Sequence, residues 1–345
     1  MHNPSRRTVL QSAASLASFA ALGARPAFAQ SAMGPILGPT HTPAHPWTVV
    51  VPFPPGGRTS FIAQRLVVAL AEVLGETVVL EHKTGDAIRE MEAFTQLPAG
   101  GRTLMLAMVR LPRRGVFKPD ADNAMLSLME PVALVAREPM VLCISAHSAR
   151  RLDINSLEQL LRYARKHPGK LTIASDSDGA TTMLAAELFK SMSQTYMTRM
   201  ASVDRSTDMQ SVIAGETDVM FESVHITRRA IQADALRPLA YTASPTQPEL
   251  NWAALQIKKP VPLLYNLPEF RQYEIYDYQT LFAPPSMDAE QLALISVTTA
   301  KALGLPDFKD RLLASYALPD NLNREQFLAL ENQEEARWRK ARGRW

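Results

Sequence analysis

The sequence predicts an α/β fold: two α/β domains around a central cleft, joined by chain crossovers. Three observations predict it. From Thr48 onward, short β-branched runs alternate with apolar-faced helices. The same alternation begins again near residue 145. A Pro-rich return, Ser244–Tyr276, then leads to one more strand and a helical tail. Strand runs that are continuously apolar belong to parallel sheets covered on both faces. Ligands of such sheets sit beyond the carboxyl ends of the strands, and a two-lobed protein closes over them by a hinge.

The elements follow in order. Val49–Phe53 reads as a strand, and Pro54-Pro55-Gly56-Gly57 as the turn into a helix, Phe61–Leu74, stopped by Gly75. Thr77–Glu81 is a strand, Ile88–Leu97 a helix ended by Pro98, and Thr103–Val109 a strand. Val132–Ala136 and Met140–Ser145 read as two strands joined by Arg137-Glu138-Pro139. Asp153 or Asn155 caps a helix whose apolar residues fall at 157, 160, 161 and 164. The second series runs Lys170–Ala174 (strand), Ala180–Met192 and Ser206–Ala214 (helices), Asp218–Phe221 (strand), Val224–Ala233 (helix) and Leu236–Thr242 (strand). After the Pro-rich return come the strand Tyr278–Ala283 and the helices Met287–Leu303, Pro306–Ser315 and Arg324–Arg342. The expected domains are residues 47–144 plus 243–345, and residues 145–242.

Residues 1–29 read as an export signal. Ser5-Arg6-Arg7-Thr8-Val9-Leu10 matches a twin-arginine start, a weakly apolar stretch follows, and Ala27-Phe28-Ala29 suits cleavage before Gln30. A periplasmic location is expected, with residues 30–46 as a linker. The chain carries 37 basic and 34 acidic residues, and three of the arginines lie in the leader, so the remainder is formally neutral. A neutral mature chain is a poor nucleic-acid binder. No apolar run after the leader approaches the roughly 20 residues of a membrane span. Cys143 is the only cysteine and sits in an apolar run, which reads as a buried strand thiol. The seven His residues show no metal-ligand spacing. No metal, no cofactor and a monomer are expected. The basic tail Arg337–Trp345 reads as a surface helix that frays.

The chain also resembles a known family, the periplasmic receptors of tripartite tricarboxylate transporters, called Bug-type receptors. Val50-Val51-Pro52-Phe53-Pro54-Pro55-Gly56-Gly57 is similar to the family's first strand and loop. Gly101-Arg102-Thr103-Leu104-Met105-Leu106, Glu130–Ala136, Pro168–Ser175, Ala214–Phe221 and Leu281-Phe282-Ala283-Pro284 continue the likeness in the same order and spacing. The resemblance implies a type II periplasmic-binding-protein fold. It further implies a small organic anion in the cleft, membrane permease subunits as partners, and no catalysis.

The departures fall in the ligand loops. Where the family continues Gly-Gly-Ala-Thr-Asp, this chain has Arg58 and Ser60 at the Ala and Asp positions. Its glycine-rich second loop is Gly85-Asp86-Ala87-Ile88 here, and Asp86 is expected to repel an anion. The family's His is missing from Asp178-Gly179-Ala180-Thr181-Thr182-Met183, and its Pro-Tyr-Lys-Gly turn becomes Ala201-Ser202-Val203-Asp204. Two readings follow: a receptor with a changed ligand, or a divergent periplasmic sensor or adaptor working with a membrane signalling protein.

Strand, Gly loop and helix start together present backbone N–H groups to an anion. Geometry and resemblance give the candidate ligand-binding residues Phe53, Pro55, Gly56, Gly57, Arg58, Thr59, Ser60, Ser175, Gly179, Thr181, Thr182 and Asp204. Arg58 reads either as a bidentate anion contact or as a solvated rim residue. Thr59, Ser60, Thr181 and Thr182 read as helix caps or ligand contacts, with capping favoured. Asp176 and Asp178 read as solvated loop acids without the later Glu of a calcium loop. Enzyme readings find no support: the chain has no Walker loop and no Gly-x-Ser-x-Gly elbow.

Overall fold

In a computed structural model, the residues described are 45–342 without 110, 112–120, 176–179, 202–204 and 258. The leader, most of the linker, Gly179 and Asp204 lie outside them. The strands are β1 (Trp47–Val51), β2 (Val78–His82), β3 (Thr103–Val109), β4 (Glu130–Ser145), β5 (Thr172–Ser175), β6 (Thr198–Ala201), β7 (Val219–Ser223), β8 (Leu236–Tyr241), β9 (Tyr276–Ala283) and β10 (Leu318–Asn323). The helices are α1 (Arg58–Leu74), α2 (Ala87–Thr95), α3 (Ala121–Leu126), α4 (Ala146–Leu152), α5 (Leu157–Lys166), α6 (Thr181–Ser193), α7 (Arg205–Ala214), α8 (Val224–Gln232), α9 (Ala289–Gly304), α10 (Pro306–Leu313) and α11 (Arg324–Arg342).

The strands join in the order β2-β1-β3-β9-β4-β7-β5-β6, with β10 and β8 also paired to β4. Pairing is parallel at both flanks, β2-β1-β3 and β7-β5-β6, as the β-α-β series predicts. It is antiparallel through the centre, where β9 and β4 lie between them. The parallel pairing expected of each β-α-β series is thus present at the flanks, and the antiparallel centre is what the series does not announce. The chain enters β4 and β9 from long connections, and such strands need no crossover helix.

β4 is one strand of 16 residues, not the two expected. Arg137, Glu138 and Pro139 stay in the ladder opposite Tyr278, Asp277 and Tyr276 of β9. From Met140 on, β4 pairs with β7 and β8 instead. The three residues that read as a connector are the place where one strand passes from one part of the sheet to the other.

Packing follows the apolar faces. α1 buries Ile62, Ala63, Leu66 and Leu70, which join Val49, Val51, Leu104 and Leu281 in one cluster. Each such aliphatic side chain contributes about 1.5–3 kcal/mol on burial. Gly75 adopts φ 71° and donates to the Ala71 carbonyl at 3.0 Å, which closes α1. A second cluster packs Leu157, Leu160, Leu161 and Ala164 of α5 with Ile144, Ile173 and Phe221. The α5 cap is Ser156, accepting from the Gln159 N–H at 3.3 Å, and not Asp153 or Asn155. Asp153 instead ends α4 in a left-handed conformation.

The Pro-rich return is more ordered than its composition predicts. It carries three short 3₁₀ turns and buries Trp252, Phe270 and Tyr273. The tail continues a helix to Arg342, as expected, but Trp338 is buried in it and donates its indole N–H to Glu334 at 3.1 Å; residues 343–345 lie outside the described ones. α3, α4, β6 and β10 are elements the sequence pattern does not announce. They are short or polar, and tertiary pairing rather than periodicity holds them. Cys143 is fully buried in β4, as expected.

Candidate functional site

Two helices begin beside the β4–β9 pair. α1 starts after Gly57 and α6 after Ala180, and neither has a side-chain cap. By contrast Asp86, Ser145, Ser156 and Ser223 cap α2, α4, α5 and α8. The first amides of any helix lack intrahelical partners and carry about half a positive charge. The Asp86 carboxylate accepts from the Ile88 N–H at 3.0 Å. Its role at α2 is capping.

Two of the hydroxyls at these starts, those of Ser60 and Thr181, have structural partners. Ser60 Oγ accepts from the Gly56 N–H at 3.3 Å and bonds His82 Nε2 at 2.7 Å, tying the loop to the end of β2. Thr181 Oγ1 donates to Asp277 Oδ1 at 2.6 Å. Thr59 and Thr182 are buried. Capping at all four positions is thus corrected: the chain turns before them, and Gly57 and Ala180 hold the N-cap positions. Ser175 is buried at the end of β5 and accepts from Arg199 Nε at 2.7 Å. Gly56 sits exposed at φ 89°, a conformation glycine adopts without strain. Pro55 and Gly57 are also exposed, and Phe53 is half-buried against the core.

Arg58 is not a solvated rim residue. Its side chain is only 10% exposed, and Nε meets Glu138 Oε2 at 2.6 Å. Nη1 donates to the Ser315 carbonyl at 2.7 Å. Nη2 is buried with no hydrogen-bond partner among the described residues. Glu138 Oε1 accepts from Gln279 Nε2 at 2.5 Å. Burial pushes the Glu138 carboxyl up, Arg58 pulls it back, and Asp277 adds to the rise. Glu138 and Asp277 are opposite residues of an antiparallel pair, so both project from the same face. The neighbouring Arg137 points the other way, to Asp320 and over the Tyr276 and Tyr278 rings.

The site has a third wall. His225, in the first turn of α8, has its pKa lowered to about 4 by burial, with Arg58, Arg228 and Arg229 adding to the fall. Arg228 Nη1 lies 3.4 Å from His225 Nδ1. Tyr316 follows Ser315 in a left-handed conformation, φ 65°, and its hydroxyl feels Arg228. A tyrosine held there is strained by about 1–3 kcal/mol, and such strain gathers at functional sites. Sequence reasoning missed Glu138, Asp277, His225 and Arg228. One signal was available: a lone carboxylate inside an apolar run needs a partner. A hollow of about 140 Å³ lined by Arg65, Glu72, Asp307 and Arg311 runs beside the middle of α1, away from these N-termini.

Residues 62–342 match the profile of the tripartite tricarboxylate transporter family receptor. The chain belongs to this family. Among sequence relatives, the UPF0065 protein of the tcbD–tcbE intergenic region of Pseudomonas sp. (strain P51) is 28% identical over 271 residues, covering 78% of this chain and 77% of its own. Protein BugT of Bordetella pertussis is 26% identical over 230 residues, covering 63% and 69%. Among solved structures, R. palustris Rpa4515 with adipate superposes with a TM-score of 0.68 at 23% identity, over 88% of this chain and 97% of that one. MatC of Rhodopseudomonas palustris with bound malate gives 0.60 at 20% identity, over 87% and 99%. The fold is thus that of the family's periplasmic binding proteins. Among the described residues no helix is long and apolar enough to cross a membrane.

Proposed function

We propose that this family member is a periplasmic solute receptor: it captures a small organic carboxylate between two lobes and delivers it to the membrane subunits of a tripartite transporter. One observation carries the reading. The first residues of α1 and α6, Arg58 and Thr181, come from opposite parts of the sheet and are tied to the facing residues Glu138 of β4 and Asp277 of β9. The lobes are residues 47–144 plus 243–345 and residues 145–242, and β4 and β9 form the hinge between them. On closure, amides from both lobes replace the water around the ligand's oxygens. The adipate and malate of the two solved neighbours support a carboxylate. Residues 1–29 direct export, with cleavage near Ala29.

Thermal shift of the mature protein tests this against mono-, di- and tricarboxylates, amides and uncharged nutrients. A ligand at ~100 times its Kd adds about 2.7 kcal/mol if it binds only the folded state. A selective shift is the expected result. A well-folded protein that no compound shifts sinks the uptake reading.

A further inference from the structure

Two buried side chains beside the β4–β9 pair each keep one polar atom without a hydrogen-bond partner among the described residues: Arg58 Nη2 and Gln279 Oε1. The Arg58 side chain is 10% exposed and Gln279 is fully buried. One carboxylate holds both residues. Arg58 Nε donates to Glu138 Oε2 at 2.6 Å, and Gln279 Nε2 donates to Glu138 Oε1 at 2.5 Å. Arg58 Nη1 is taken by the Ser315 carbonyl. Each orphaned atom is bonded to the carbon that carries the contacting nitrogen, so the two flank Glu138.

The ladder fixes their place in the fold. Glu138 lies opposite Asp277 and Ala136 opposite Gln279, and alternate residues of a strand share a face. Glu138, Asp277 and Gln279 thus project from one face, the face that receives Arg58 of α1 and Thr181 of α6. A donor and an acceptor stand open there, beside the start of α1.

Buried polar groups without partners are costly, and a group that answers them removes the cost. The chemistry of the answer is narrow. An ionised Glu138 takes the NH₂ end of Gln279, which turns Oε1 away from it. Nη2 only donates and Oε1 only accepts. A carboxylate has no proton for Oε1, and an ammonium has no lone pair for Nη2. A methylene answers neither. A hydroxyl accepts from one and donates to the other through a single oxygen.

We propose that Arg58 Nη2 and Gln279 Oε1 receive a hydroxyl of the ligand, so that the receptor selects hydroxycarboxylates over acids that lack the hydroxyl. This rests on the receptor reading above and deepens it. Arg58 is itself the first residue of α1, so the hydroxyl belongs on a carbon close to the carboxylate that the helix amides hold. A site built around a hydroxyl rejects the analogue without it, because that analogue leaves the same two atoms unpaired. An ordered water offers the same oxygen chemistry, and probes that differ only in the hydroxyl tell the two apart.

Titration calorimetry uses such pairs: lactate with propionate, malate with succinate, and 3-hydroxybutyrate with butyrate. In at least one pair, wild type is expected to bind the hydroxy acid at least about tenfold more tightly, as one buried hydrogen bond allows. Gln279→Met keeps the shape and removes the acceptor, and Arg58→Lys keeps a charge for Glu138 and removes Nη2. Each is expected to bring that ratio toward one, in samples whose melting curves show a folded protein. Wild type that binds the deoxy acid as tightly in every pair assigns the position to water. That result overturns the inference without any variant and leaves the receptor reading standing. A ratio unchanged in both variants does the same. Absence of binding by every acid overturns both.

Discussion

Glu138 and Asp277 face each other across β4 and β9, and each holds the first residue of a different helix. Glu138 takes Arg58 of α1, and Asp277 takes Thr181 of α6. The two helix starts therefore report to one point of the sheet. Any change in the angle between the parts of the sheet alters how the two helix starts face each other.

The Arg58–Glu138 pair is buried, so its halves are not separable. Breaking a buried pair by removing one partner costs about 3–5 kcal/mol, whereas replacing both by apolar groups is often near neutral. Glu138→Leu and Arg58→Met should each lower stability by about that amount. The double variant Arg58→Met/Glu138→Leu should lose less than their sum. Urea unfolding of the three variants checks this; strictly additive losses would show that the pair is not coupled.

Gly57 offers a way to occupy the α1 amides from within. Its backbone, φ −77° and ψ 177°, already suits an N-cap, and an added Cβ meets only the Pro54 carbonyl oxygen at 3.8 Å. Gly57→Asp should stabilise α1 by a few tenths to about 1 kcal/mol and weaken carboxylate binding at least about tenfold. Melting temperature and calorimetry on the same sample read both. Undiminished affinity would remove the α1 N-terminus from the site.

His225 makes stability depend on pH. Its folded pKa is depressed from 6.5 to about 4, chiefly by burial and then by Arg58. The unfolded chain binds the proton more readily, so this contribution is complete above about pH 6.5 and lost as pH falls toward 4. Discounted for partial exposure, the loss is on the order of 1 kcal/mol. Wild type should lose more stability between pH 7 and pH 5 than His225→Gln does. Equal slopes would disprove the assignment.

Cys143 should be silent in the native state. It is fully buried, and burial, with Glu222 adding to it, pushes its thiol well above the usual range. A thiol reagent should label it only as fast as the fold opens, and at once in denaturant. Rapid native labelling would contradict the packing of β4.

Much of the architecture is legible in the residues. Thr103–Val109 and Arg324–Arg342 appear in the structure with the limits that their patterns predict. The helix between Pro54-Pro55-Gly56-Gly57 and Gly75 announces itself because glycine, proline and apolar period act locally. The family likeness, carried by ordered short segments, is also a property of sequence alone. The candidate loop at Gly56–Arg58 was legible for the same reason: a strand, a turn and a helix start lie consecutively along the chain.

What the tertiary structure decided are the partnerships between distant residues. Arg137-Glu138-Pro139 looks like a break in an apolar pattern, and only the ladder with β9 makes it part of a continuous strand. Arg58 looks like a surface charge, yet it is taken inward by Glu138 and the Ser315 carbonyl, residues far along the chain. Thr181 looks like a cap and binds Asp277 instead. Local pattern carries no information on which buried charge will answer another. That choice depends on burial and on distances of a few ångströms, which exist only once the strands have paired.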